Sequence, residues 1–163
     1  MQDQKLVRMT EAALIAAMYI ALTLLSNAFG LASGPIQVRL SEALTVLPFF
    51  LPAAVPGLCI GCLLSNLLTG CALWDVVFGT AATLLAAFGT RLIGRTGHKW
   101  PAVLPPILCN TLVIPFVLQY VYGTEKALPF LLLTVFAGEF LSAGVLGLVL
   151  LFGLERVGLF KKK

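Results

Sequence analysis

Residues 38–70 read VRLSEALTVLPFFLPAAVPGLCIGCLLSNLLTG, and the number of times this stretch crosses a membrane decides the architecture of the chain. Its 33 residues are either one long tilted helix or two short ones folded back at Pro48, Pro52 and Pro56. Proline removes a backbone donor and ends helices, and Pro-Ala-Ala-Val-Pro-Gly at 52–57 has the chemistry of a tight turn.

Composition makes a membrane the right solvent. The chain is 60% hydrophobic and 11% charged over 163 residues, with a mean hydropathy of +1.01. Soluble domains carry about 25% charged residues, so this chain has too little charge to cover a globular surface. Its long apolar runs lack the period-two alternation of an outer-membrane barrel and suit helices that satisfy their own backbone in hydrocarbon. The first run, Ala12 to Leu25, follows Lys5 and Arg8, and Gly30-Leu31-Ala32 imitates a signal-peptide cleavage site. The run outlasts a signal core, so a retained span is expected.

Charge then counts the helices. Nine of the eleven Lys and Arg residues fall in three clusters: Lys5 and Arg8; Arg91, Arg95 and Lys99; Arg156 and Lys161 to Lys163. Cytoplasmic loops collect such residues. All three clusters lie inside only if residues 38–70 cross twice. The expectation is an all-α membrane protein, one integral domain over 1–163 with both termini cytoplasmic. Its six transmembrane helices are expected near 10–29, 38–51, 56–70, 74–93, 101–121 and 127–154. Helices two and three are then short for a hydrocarbon core of ~30 Å.

This topology gathers the polar residues toward the outside. Gln37, Arg39 and Glu42 lie at the outer start of helix two and Asn66 near the outer end of helix three. Trp74 and Asp75 open helix four, and Gln119 lies near the outer end of helix five. Asn110 and Glu139 lie deeper, at one level about 16–18 Å below the outer ends of their helices. Charge in hydrocarbon costs several kcal/mol unless it is paired or faces a cavity. Arg39 and Glu42, at i and i+3, either neutralise each other or rim a pocket. Asp75 is a helix cap or a binding group, and Asn66 and Asn110 are interhelical glue or ligand contacts. Glu139, between Gly138 and Phe140, has the weakest structural explanation. The pattern is that of a pocket open outside and sealed below, with no polar lining for a continuous channel.

Other chemistry is missing. There is no P-loop, no zincin or nucleophile-elbow motif with a base, and the single His98 sits in a basic loop. Cys59 and Cys62 form a CxxC without a second pair or a nearby His, so buried apolar thiols are expected and no metal. Ala13, Ala17 and Ala21, flanked by Ala12 and Ala16, make a small-residue face on helix one. Such a face admits close approach of a helix from the same bundle or from a second protein.

GPIQVRLSEALTVLPFF (34–50), PAAVPGLCIGCLLSNLL (52–68) and WDVVFGTAATLLAA (74–87) resemble the QueT family, as do Asn110 with its Ile-Pro-containing helix and Gly138-Glu139. That family comprises substrate-binding S components of energy-coupling factor (ECF) transporters for queuosine precursors. The resemblance implies a non-enzymatic subunit of the bacterial cell membrane. It would capture a 7-deazaguanine such as preQ1 or preQ0 beneath a lid formed by the loop between helices one and two, from Gly34 to Glu42. It further implies docking of the alanine face, Ala13, Ala17 and Ala21, on a transmembrane T component. That component is driven by two ATPase subunits, which use the ATP, so the chain itself needs no cofactor. Candidate ligand contacts are Gln37, Arg39, Glu42, Asn66, Trp74, Asp75, Asn110, Gln119 and Glu139. Either Glu42 or Glu139 suits a guanine-like N–H edge, and Asp75 suits an aminomethyl cation. The competing expectation is a stand-alone proton-coupled carrier that titrates Glu139.

Overall fold

The computed structural model describes residues 2–31 and 36–158. Gly34 and Pro35 of the expected lid, Ala32 of the segment that imitates a cleavage site, and Lys161 to Lys163 lie outside the described residues. Six helices follow one another: α1 (Gln2–Ala28), α2 (Leu40–Phe49), α3 (Ala54–Leu68), α4 (Leu73–Thr96), α5 (Trp100–Tyr120) and α6 (Leu128–Val157). No strand interrupts them among the described residues. The first turn of α5, Trp100–Val103, is 3-10, and α6 passes through a π-helical segment, Phe140–Leu146. α1 begins at Gln2, earlier than the expected residue 10, because the polar N-terminal segment extends the apolar helix.

The chain does turn at Pro52, between α2 and α3. Four helices, α1, α4, α5 and α6, are long and apolar enough to cross a membrane; α2 and α3 are shorter. α3 spans roughly 22 Å at 1.5 Å per residue. α2 is a 3-10 helix with Pro48 inside it, about 20 Å long at 2.0 Å per residue. A ten-residue 3-10 helix is unusual, since such runs rarely exceed three or four residues.

Its surroundings explain how it persists. Eight of the ten residues of α2 are buried. Leu44 and Leu47 pack with Ile15, Tyr19, Leu58 and Ala87, while Val46 and Phe49 pack with Val103, Ile107 and Leu151. α2 is therefore the shared core of two apolar clusters and has little contact with lipid. Glycines on its neighbours let it sit this close. A Cβ at Gly94 would strike the Phe49 backbone, and one at Gly147 would lie 3.0 Å from Val46 Cγ1. Arg91 Nη1 donates to the Pro48 and Phe49 carbonyls at 3.4 and 3.5 Å, satisfying acceptors that the helix end leaves free.

α1 and α3 meet through small residues. A Cβ at Gly57 would lie 2.7 Å from Ala12 O, and one at Gly61 would lie 2.8 Å from Tyr19 Cβ and 3.1 Å from Ala16 O. Ala12 and Ala16 thus face the bundle, whereas Ala13, Ala17 and Ala21 are exposed. The alanine face expected on one side of the first helix is divided between two directions.

Two ends are distinct. Arg8 lies by Pro52 and Pro56, Arg91 reaches the end of α2, and Lys99 pairs with Glu155. The basic segments therefore collect at one end. Asn27, Cys71, Asp75 and Tyr122 gather at the other. Between the ends the outward side chains are apolar: Leu85, Leu112, Leu133 and Val149 are each 63–67% exposed.

Candidate functional site

The polar side chains of the non-basic end converge on two adjoining chambers. The inner one, about 30 Å³, is bordered by Glu42, Cys62, Thr83, Asn110 and Glu139. The outer one, about 370 Å³, is bordered by Thr23, Asn27, Asn66, Asp75 and Tyr122. Gln37 and Arg39 line both and so form the partition.

The partition is anchored through its backbone. Arg39 N donates to Ser142 Oγ at 3.1 Å, and Leu40 N donates to Ser26 Oγ at 2.9 Å. Gly138 on α6 has no side chain where the Gln37 carbonyl rests. With its main chain held on both sides, Arg39 has a free side chain. Among the described residues its guanidinium makes no ion pair and no hydrogen bond. It is positioned within electrostatic reach of both Glu42 and Asp75. Mutual neutralisation of Arg39 and Glu42 is not what the structure adopts.

Glu42, 2% exposed, is held instead by neutral donors. Tyr19 Oη donates to its Oε1 at 2.5 Å, and Asn110 Nδ2 approaches its Oε2 at 3.4 Å. The Asn110 amide also faces Glu139, whose Oε2 is buried without a partner. Glu139 immediately precedes the π-helical segment of α6, a backbone irregularity that recurs at functional positions. Thr83 Oγ1 and Asn66 Nδ2 lie 3.3 and 3.5 Å from Cys62 Sγ. All four cysteines are free.

At the outer chamber Tyr122 links two elements. Its hydroxyl accepts from Ala72 N at 3.0 Å and donates to Asp75 Oδ2 at 2.8 Å. Burial and the adjacent Asp75 carboxylate push the phenol up to about 12, so it remains a donor at physiological pH. Asp75 lies in the first turn of α4 but makes no side-chain cap there; the tyrosine hydroxyl meets the helix start in its place.

Seven of the nine expected ligand residues border these chambers: Gln37, Arg39, Glu42, Asn66, Asp75, Asn110 and Glu139. Two do not. Trp74 is 59% exposed and stacks on Phe78, because one residue's step around α4 turns it away from Asp75. Gln119 borders neither chamber, and its Oε1 is buried without a partner. Tyr19, Cys62, Thr83 and Tyr122 were not expected at the site. Tyr19, Thr23 and Ser26 form a buried polar stripe at i, i+4 and i+7 on α1, a periodicity legible in the sequence. Tyr122 reads there as an interfacial aromatic, and nothing local distinguishes it.

The arrangement sets three carboxylates and one unpaired guanidinium around a partly enclosed volume, with amides and hydroxyls between them. It favours a polar ligand carrying several N–H donors and positive charge. Among the described residues no group of three or more His, Cys, Asp or Glu side chains is placed to hold a metal ion.

Comparison with known proteins gives two matches. The family model described as QueT transporter matches residues 9–156. The queuosine precursor transporter QueT of Lactococcus lactis subsp. cremoris is 35% identical over 97 residues, which are 58% of this chain and 56% of that protein. The matched region thus spans little more than half the length of that relative. No solved structure gives a significant match.

Proposed function

The chain belongs to the QueT transporter family, and from that premise we propose that it is the substrate-binding S component of an ECF-type importer. It binds a queuosine precursor, a 7-deazaguanine such as preQ1 or preQ0, from outside the cell. Both termini are cytoplasmic and all six helices are embedded. The observation that carries this reading is the pair of chambers at the non-basic end. By the positive-inside rule that end faces outward, and a flat base with a polar edge matches the chambers' carboxylates and amides. The short α2 is covered by protein, eight of its ten residues being buried, which supports a span of that length. The chain is no enzyme, as its family membership indicates, and it uses no cofactor of its own. A transmembrane T component and two ATPase subunits supply the energy.

Two measurements test the proposal. The purified chain retains a 7-deazaguanine identifiable by mass spectrometry, and binds it with an affinity that Glu42→Gln and Glu139→Gln both reduce. Unchanged affinity in both variants would overturn the site assignment. The partnerless Glu139 oxygen favours one competitor, a proton-coupled carrier working alone. That reading requires uptake by the chain in ATP-free proteoliposomes, where an S component binds without turnover.

A further inference from the structure

We propose that the inner chamber is a subsite for a single primary ammonium group, so that the protein selects a cationic ligand over a neutral one of the same ring. This rests on the function proposed above. The first observation is size. At about 30 Å³ the inner chamber has space for one or two water-sized groups and less than a tenth of the outer chamber's volume, too small for a bicyclic ring yet open to an ammonium. The outer chamber, about 370 Å³, has room for a bicyclic base. The two adjoin at Gln37 and Arg39, whose side chains are all that the chambers share as lining. A ligand that fills both therefore places a ring in the outer chamber and one small substituent in the inner one.

The second observation is charge and hydrogen bonding. The inner chamber is bordered by the carboxylates of Glu42 and Glu139 against one guanidinium, Arg39. One added positive charge balances them. An ammonium brings three donors and no acceptor. Glu139 Oε2, buried and unpartnered, is the acceptor waiting for one of them, and the second Glu42 oxygen, only weakly bonded by Asn110 at 3.4 Å, is another. A buried ion needs both pairing and satisfied hydrogen bonds, and this lining provides both. A linear nitrile has no donor to offer and would leave the Glu139 oxygen unmatched. Asp75, the carboxylate that the sequence suggests for the cation, is already engaged by Tyr122 at the wall of the larger chamber.

The test compares 7-aminomethyl-7-deazaguanine with 7-cyano-7-deazaguanine by calorimetry on the purified full chain. The aminomethyl compound is expected to bind more than about tenfold more tightly, as a site built around a hydrogen-bonding group rejects the analogue lacking it. Glu139→Gln should remove most of that preference by weakening the aminomethyl compound far more than the cyano compound, and Asp75→Asn should weaken both compounds together. Equal affinities in the unmodified protein, or a preference that survives Glu139→Gln and vanishes in Asp75→Asn, would overturn the inference while leaving the transport function standing. Failure of both compounds to bind would overturn the proposed function, and this inference with it. A thermal-unfolding midpoint equal to the parent's shows that Glu139→Gln is folded.

Discussion

Burial of Glu42 is the residue-scale feature on which the site depends, and it works because the carboxylate has neutral donors on both oxygens. Tyr19 donates from α1 and Asn110 from α5, so three helices are tied at one point. Tyr19→Phe keeps the shape and deletes the donor. It should destabilise the ligand-free protein by about 1–3 kcal/mol, the usual cost of stranding a buried polar group, seen as a lower midpoint of thermal unfolding in detergent. A midpoint equal to the parent's would mean that Glu42 finds another donor. The sequence makes the acids legible because charge in an apolar run is conspicuous. Their partners are not, because Tyr19 and Asn110 lie 23 and 68 residues from Glu42 and no local pattern joins them. Trp74 shows the opposite error. Adjacent to Asp75, it points elsewhere, since neighbours in a helix do not share a face.

At the scale of elements, glycine decides which helices meet. Gly57 and Gly61 form a small-xxx-small pair that brings α3 against Ala12 and Ala16 of α1. Gly61→Ala should therefore lower the unfolding midpoint, since a Cβ there sits 2.8 Å from Tyr19 Cβ. Gly153→Ala, with nothing within 4 Å, should leave it unchanged or raise it, as alanine is favoured over glycine in a helix by about 1 kcal/mol. The reverse order would refute the packing. Gly138→Ala acts differently. Its Cβ meets the Gln37 carbonyl, so the segment bearing Gln37 and Arg39 must shift. Ligand affinity should fall by about tenfold, a loss near 1.4 kcal/mol, measured by calorimetry beside the parent. The six helices and the turn at Pro52 were legible from proline spacing and charge. The 3-10 form of α2 was not, because it depends on glycines of α4 and α6 that are distant in sequence.

Across the whole molecule, the division of α1 into two small-residue faces connects packing to energy coupling. Ala12 and Ala16 pack against α3, while Ala13, Ala17 and Ala21 remain exposed, Ala13 on the rim of an apolar groove of about 530 Å³ that Arg8, Ala12, Ala16, Pro52 and Pro56 also border. In hydrocarbon, exposed alanine has no hydrophobic reason to be hidden, so helix association there rests on close van der Waals approach. Under the proposed function this free face receives the T component. A bulky residue should then separate the two faces by their consequences. Ala16→Trp is expected to unfold the α1–α3 contact, because Ala16 is 6% exposed and abuts Gly61. Ala17→Trp projects outward and should leave the unfolding midpoint and the ligand affinity within about twofold of the parent, or 0.4 kcal/mol. In proteoliposomes carrying the T component and ATPases, however, it should abolish ATP-dependent uptake and co-purification of the partners. Normal uptake by Ala17→Trp would remove the exposed alanines from the docking surface. Loss of ligand binding in the same variant would mean that this face belongs to the bundle after all.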